Sequence, residues 1–232
     1  MFKFTKKTSV YSLIKNYQPL ILALFAGSAI LSGAFMYKPE VVADEIDPAP
    51  TFVPSSDMPF IGRAEAPVTV IEFADPLCPG SKTFFETVEP QLRAKYIDLG
   101  MVKFYQWPMI IKPVKSTQAL QAMYCAADQG KYWEYRNHML EQPRTGPLGW
   151  ADFVEQDYSS FAEDMDLDMK AFGSCLASGK YVSLVQAKDR VRADAGINAS
   201  ASVVVNGKIV VWPNFEEVSA AIDRSLVDLE NN

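Results

Sequence analysis

Cys78 is the side chain of this sequence best placed to act as a nucleophile. It is followed by Pro79, Gly80 and Ser81, then by Phe84, Phe85 and Val88 at roughly helical spacing. Before it runs Val-Thr-Val-Ile-Glu-Phe over 68–73, apolar and rich in β-branched residues, as a buried strand would be. Proline suits the first turn of a helix, so the pattern puts Cys78 where a strand gives way to a helix N-terminus. Unpaired N–H groups and the positive end of the helix dipole favour a thiolate there. Ser81 is three residues on and can donate a hydrogen bond to that thiolate. It cannot act as a second thiol. Glu72 lies inside the apolar strand, where a carboxylate is costly unless protonated or paired. Buried, it should titrate above its ordinary range and could accept a proton from Cys78. The competing reading is that its side chain reaches a lysine at the strand end.

The remaining reactive side chains carry weaker signals. His138 is the only histidine, and it has no cysteine or aspartate at ligand spacing; it reads as a surface or half-buried residue. Cys78, Cys125 and Cys175 show no paired spacing of the kind zinc sites use, so no metal and no cofactor is expected. Asp164, Asp166 and Asp168 alternate like the start of a calcium loop, but the glycine and distal glutamate of such a loop are missing, and a solvated helix start fits better.

The elements that must position Cys78 follow from periodicity and breakers. The Cys78 helix should run on until Gly100. Residues 101–107 form a second strand candidate, so strand, helix and strand make a parallel βαβ unit. Ser116 is a fair N-cap for a helix over 117–129. Further helical segments are expected at 132–141, 150–156, 160–165, 168–174 and 182–195. Residues 202–205 and 208–212, joined by Asn206-Gly207, read as a β-hairpin. Val218, Ile222, Leu226 and Leu229 mark an amphipathic helix over 215–229.

The first 59 residues have a different character. Residues 1–18 carry Lys3, Lys6, Lys7 and Lys15 and no acid, and residues 19–37 carry no charge at all. That uncharged run is near the length that spans hydrocarbon, and the lysines ahead of it place the N-terminus in the cytoplasm. A cleaved signal peptide is the competing reading, but the run ends in bulky residues and Lys38 rather than at a small-x-small site. Residues 38–59, rich in proline and acid, read as a tether, with the globular domain over 60–232. A net charge of −6 argues against nucleic acid as a partner.

Taken together, Ala66-Pro67-Val68-Thr69-Val70-Ile71-Glu72-Phe73 and Cys78-Pro79-Gly80-Ser81-Lys82 resemble the active-site segment of the DsbA-like family of thioredoxin-fold oxidoreductases. Supporting matches follow in order: Gln129-Gly130-Lys131-Tyr132-Trp133-Glu134-Tyr135, Cys175-Leu176-Ala177-Ser178-Gly179-Lys180-Tyr181, and Val205-Asn206-Gly207. The resemblance implies an α/β thioredoxin-like fold with a helical insertion at about 114–180. It makes Cys78 the attacking thiol, with Glu72 as the proton-handling acid beneath it. Pro79, Gly80, Ser200 and Ala201 would form the substrate-binding edge, and Cys125 and Cys175 would pair, the alternative being two buried free thiols. Two departures stand out. The family's second active-site cysteine is Ser81 here, and its cis-proline is Ala201. A cis bond before a non-proline residue costs roughly 3 kcal/mol, so a trans bond is expected before Ala201.

The implied function is thiol–disulfide exchange through a single cysteine. Proteins bearing thiols or disulfides would be substrates, a further redox protein a possible partner, and the N-terminal segment a membrane anchor. The domain would sit in the periplasm or extracellular space. A non-catalytic binding or chaperone-like module with a degenerate site is the alternative.

Overall fold

The computed structural model describes residues 52–231 apart from Asp57 and Trp212. The anchor and most of the tether expected at 1–51 lie outside the described residues. At the centre is a five-stranded sheet in the order β1-β3-β2-β4-β5. The strands are β1 (Phe60–Ile61), β2 (Val68–Ala74), β3 (Val102–Pro108), β4 (Ser202–Val205) and β5 (Lys208–Val211). β2 and β3 pair in parallel, as the βαβ spacing predicts, while β4 pairs antiparallel with both β2 and β5.

Alternation along β2 sends Val68 and Val70 to one face and Ile71 and Phe73 to the other. The first face is covered by α1 (Pro79–Thr87), α2 (Glu89–Leu92) and α8 (Phe215–Glu230), through Phe84, Val88, Leu92, Val218 and Ile222. On the second face Ile71, Phe73 and Val204 meet Trp107 and Ile197, joined by Phe52 and Met58. The Phe52 ring stands edge-on to Phe73 at 4.7 Å and to Trp107 at 5.5 Å. Two residues of the expected tether are thus core residues.

Between β3 and β4 run α3 (Pro113–Ala127), α4 (Tyr132–Glu141), α5 (Glu155–Glu163), α6 (Met169–Ser178) and α7 (Val182–Asp194). They bury their own cluster, including Leu120, Met123, Tyr135, Met139 and Phe172. The Cys125–Cys175 disulfide joins α3 to α6, as the resemblance implies.

Four local expectations are corrected. The helix after Cys78 is not continuous to Gly100: it breaks at Val88 and restarts with Pro90 in the first turn of α2, then widens into a π turn over Arg93–Ile97. Pro90 has no N–H to give the preceding turn and its ring crowds that turn's carbonyl. Ser116 does not cap α3. The helix starts three residues earlier with Pro113 at its first position, and the Ser116 hydroxyl is buried inside it. Residues 150–154 are not helical. Ala151 N–H donates to the Leu77 carbonyl at 3.0 Å, which draws this stretch alongside the Cys78 turn. The Ser200–Ala201 peptide is cis, not trans. The cost of roughly 3 kcal/mol belongs to an isolated bond. In the fold both sides of it are held: the Ser200 hydroxyl pairs with the Ser81 hydroxyl and accepts from Asp75 N–H, and Ala201 lies in the core under α1, just ahead of β4.

Candidate active site

The Cys78 site is built where β2 ends. Asp75, one residue past the strand, is fully buried and organises the turn. Its Oδ1 accepts from Leu77 N–H at 2.9 Å. Its Oδ2 accepts from Ile111 N–H at 3.0 Å and from the Ser116 hydroxyl at 2.5 Å. Its carbonyl accepts from Cys78 N–H at 3.0 Å. Burial still pushes the Asp75 carboxyl above the usual range, with these hydrogen bonds opposing the rise. The result is that Cys78 has extended backbone and stands as the N-cap of α1, with Pro79 in the first turn, as the sequence pattern predicts.

Cys78 is the free cysteine among the described residues, and it is 7% exposed. Its thiol faces the Ser200 carbonyl, with Sγ to O at 3.9 Å. Ser81 sits one turn down α1, but its hydroxyl pairs with the Ser200 hydroxyl at 2.9 Å rather than with the sulfur. The residue in the second-cysteine position therefore ties α1 to the cis loop. Gly80 makes that approach possible, because a Cβ there would lie 2.3 Å from the Ser200 carbonyl oxygen. Beside this junction opens a groove of about 220 Å³, lined by Gly80, Thr83, Phe84, Thr87, Ser200 and Ala201. Of the expected substrate edge, Gly80, Ser200 and Ala201 thus share one depression. Pro79 is not among the residues that line it; a Cβ on Gly149 would lie 3.5 Å from the Pro79 Cβ.

Glu72 is fully buried, as the first of its two readings requires. It projects from β2 on the face covered by α1. Its charge partner is no strand-end lysine but Arg136 of α4, with Nη2 2.8 Å from Glu72 Oε2. Arg136 Nη1 in turn lies 2.5 Å from Oε2 of Glu89 on α2, and Glu89 Oε1 accepts from Arg93 at 3.0 Å. The guanidinium of Arg136 also lies 5.4 Å from the rings of both Phe85 and Trp133. Glu72 Oε1 meets no hydrogen-bond partner. Burial is the dominant influence on Glu72, followed by the opposing charge of Arg136 and the like charge of Glu89, and its carboxyl titrates at about 7.

Arg136, Asp75 and Arg144 are site residues that sequence reasoning missed. Arg136 left a trace: it falls at helical spacing from Tyr132 and Leu140, on the buried side of α4, where a lone arginine needs a buried anion. Arg144, in the loop after α4, donates from Nη1 to the Pro76 carbonyl at 3.1 Å. Nothing in its local sequence marks it. His138 is half-buried, 3.2 Å from Asp164, and plays no part here. Asp168 caps α6, as a helix start should, accepting from Lys170 and Ala171 N–H. No group of three or more His, Cys, Asp and Glu side chains that could hold a metal ion occurs among the described residues.

Residues 55–224 match the sequence profile of a thioredoxin family. A probable disulfide bond formation protein D of Bacillus anthracis is 28% identical over 202 residues, covering 85% of this chain and 90% of that one. The crystal structure of oxidised BdbD from Bacillus subtilis superposes with a TM-score of 0.66 at 23% identity, over 73% of this chain and 93% of that one. DsbA of Chlamydia trachomatis gives a TM-score of 0.65 at 21% identity, over 76% and 95%.

Proposed function

Because the chain belongs to the thioredoxin family, with DsbA-like proteins among its relatives, we propose that it is an extracytoplasmic thiol–disulfide exchange protein acting through Cys78 alone. The observation that carries this reading is a free cysteine at the N-cap of α1 beside the Ser200–Ala201 loop just ahead of β4, with an apolar groove alongside. In the proposed step the Cys78 thiolate attacks one sulfur of a protein disulfide. The new sulfur–sulfur bond is a mixed disulfide, and the electron pair of the broken bond leaves with the other sulfur as a thiolate. Ser81 cannot attack that intermediate, so a thiol of the partner or a small thiol must resolve it. Glu72, titrating at about 7, is assigned the role of accepting the Cys78 proton. The groove would take an apolar side chain of an extended substrate segment. Residues 19–37 would hold the domain at the membrane.

A second reading has its own support. Cys78 is only 7% exposed and Ser81 is bonded to Ser200, which suits a groove that binds polypeptide without redox turnover. One experiment separates the two. Under exchange, non-reducing gels of membranes show high-mass adducts that vanish on reduction and in Cys78→Ala. Their lifetime shortens in Ser81→Cys, where the new thiol attacks at an effective concentration of about mM or more. No Cys78-dependent adduct, together with a thiol no more reactive than free cysteine, turns the assignment to the binding module.

A further inference from the structure

We infer that Arg144 is the positioning residue for the Cys78 thiolate, supplied to the site by the loop between α4 and α5. The inference rests on the exchange reading above and deepens it. Arg144 uses one of its nitrogens, Nη1, to hold the Pro76 carbonyl, two residues ahead of Cys78. Its Nε and Nη2 are sealed from solvent and find no acceptor in the protein. A guanidinium with two such donors is an incomplete arrangement, since each lost hydrogen bond in a dry place is costly. The loop that carries it is fastened to the same turn, through Ala151 N–H on the Leu77 carbonyl and Gly149 against Pro79.

The charges that act on Arg144 point the same way. Burial pushes its guanidinium below the usual range, and charge on Cys78, then Glu86, then Asp75 opposes that fall. Neither acid offers it a hydrogen bond: Asp75 spends its oxygens on Leu77, Ile111 and Ser116, and Glu86 pairs with Lys82 at 2.9 Å. The nearby lysines are engaged elsewhere. Lys82 also donates to the Leu140 carbonyl, and Lys112 stands 4.2 Å over the Trp150 ring. Of the three, the Cys78 sulfur is the anion with no donor or cation of its own among the described residues.

The consequence for exchange follows the charge. Before attack the negative charge is on the Cys78 sulfur; after it, on the departing sulfur. When a resolving thiolate attacks the mixed disulfide, the charge returns to Cys78. A fixed cation beside Cys78 favours the states at both ends, making it a ready nucleophile and a good leaving group. That suits a site with no second thiol.

The test compares two alkylating reagents that differ in charge, anionic iodoacetate and neutral iodoacetamide, on the full chain. A guanidinium beside the sulfur draws the anionic reagent in, so the iodoacetate-to-iodoacetamide rate ratio at Cys78 should fall about fivefold in Arg144→Gln. Arg144→Lys should restore most of it. A purely structural role, holding the Pro76 carbonyl, would slow both reagents equally and leave the ratio alone; that result overturns the inference, as does a ratio unchanged with both rates intact. Should Arg144→Gln fail to fold, the unsubstituted protein carries the same test. Its ratio should decline as salt rises from about 0.02 to 0.5 M, and a ratio flat in salt overturns the inference. If Cys78 of the unsubstituted protein reacts with neither reagent, the exchange reading itself has failed.

Discussion

A carboxyl that titrates near neutrality inside a sheet couples the stability of this domain to pH. Glu72 moves from an ordinary value of 4.5 to about 7 on folding. Below pH 4.5 folded and unfolded chains both carry its proton. Between 4.5 and 7 the unfolded chain gives the proton up while the folded one keeps it, so stability falls as pH rises through this window and levels off above it. The amplitude from this one group is on the order of 3 kcal/mol. Urea melts of the unsubstituted protein and of Glu72→Gln at pH 4.5 and 7.5 isolate it. The raised carboxyl of Asp75 adds to the slope in both proteins and cancels in the comparison. Equal slopes in the two proteins would mean that Glu72 is ionised throughout, held by Arg136 as an ordinary buried pair.

At the scale of elements, much of the fold was legible. The β-branched run of β2, the Asn206-Gly207 turn between β4 and β5, and the apolar spacing of α8 are local signals, and each element lies where its signal puts it. What was not legible depended on neighbours distant in sequence. Ser116 looks like a cap until Asp75 of the β2 turn claims its hydroxyl. Residues 150–154 look helical until the Leu77 carbonyl draws them out. The cis bond before Ala201 is set by a frame spread over α1, β2 and β4, which no local proline announces. The pairing of Cys125 with Cys175 came through resemblance and stands in the structure. It closes a loop of 50 residues between α3 and α6, and in the chain-entropy model that stabilises by about 4 kcal/mol. Reduction, or Cys125→Ser, should therefore lower the melting temperature of the oxidised domain by several degrees. Coincident melts of oxidised and reduced protein would mean that packing of Tyr135, Met139 and Phe172 alone holds the helical block.

At the scale of the whole molecule, the helical block equips the site as well as covering it. The sheet and α1 contribute Cys78, the proposed nucleophile, and Glu72, the proposed proton acceptor. The block contributes both arginines, Arg136 to Glu72 and Arg144 to the Cys78 turn. Where this domain works depends on residues 1–51, outside the described part, and no helix of the described residues is long and apolar enough to cross a membrane. The proposed anchor, residues 19–37, is a run of 19 uncharged residues, which as a helix would measure about 28 Å, close to the hydrocarbon thickness of about 30 Å. On the proposed topology, Lys3, Lys6, Lys7 and Lys15 ahead of it would hold that end in the cytoplasm and send the domain across. The expected outcome is a full-length chain that stays with membranes through alkaline extraction. In spheroplasts or intact cells, a membrane-impermeant maleimide should label Cys78 and no other cysteine until the Cys125–Cys175 bond is reduced. N-terminal sequencing gives the opposing result a definite form: a mature chain that starts within residues 38–59 would mean the segment is cleaved, leaving a released domain. Protection of Cys78 from the reagent in intact cells, with labelling restored only after the membrane is breached, would put the domain in the cytoplasm and remove the oxidising setting in which exchange through a single cysteine is proposed.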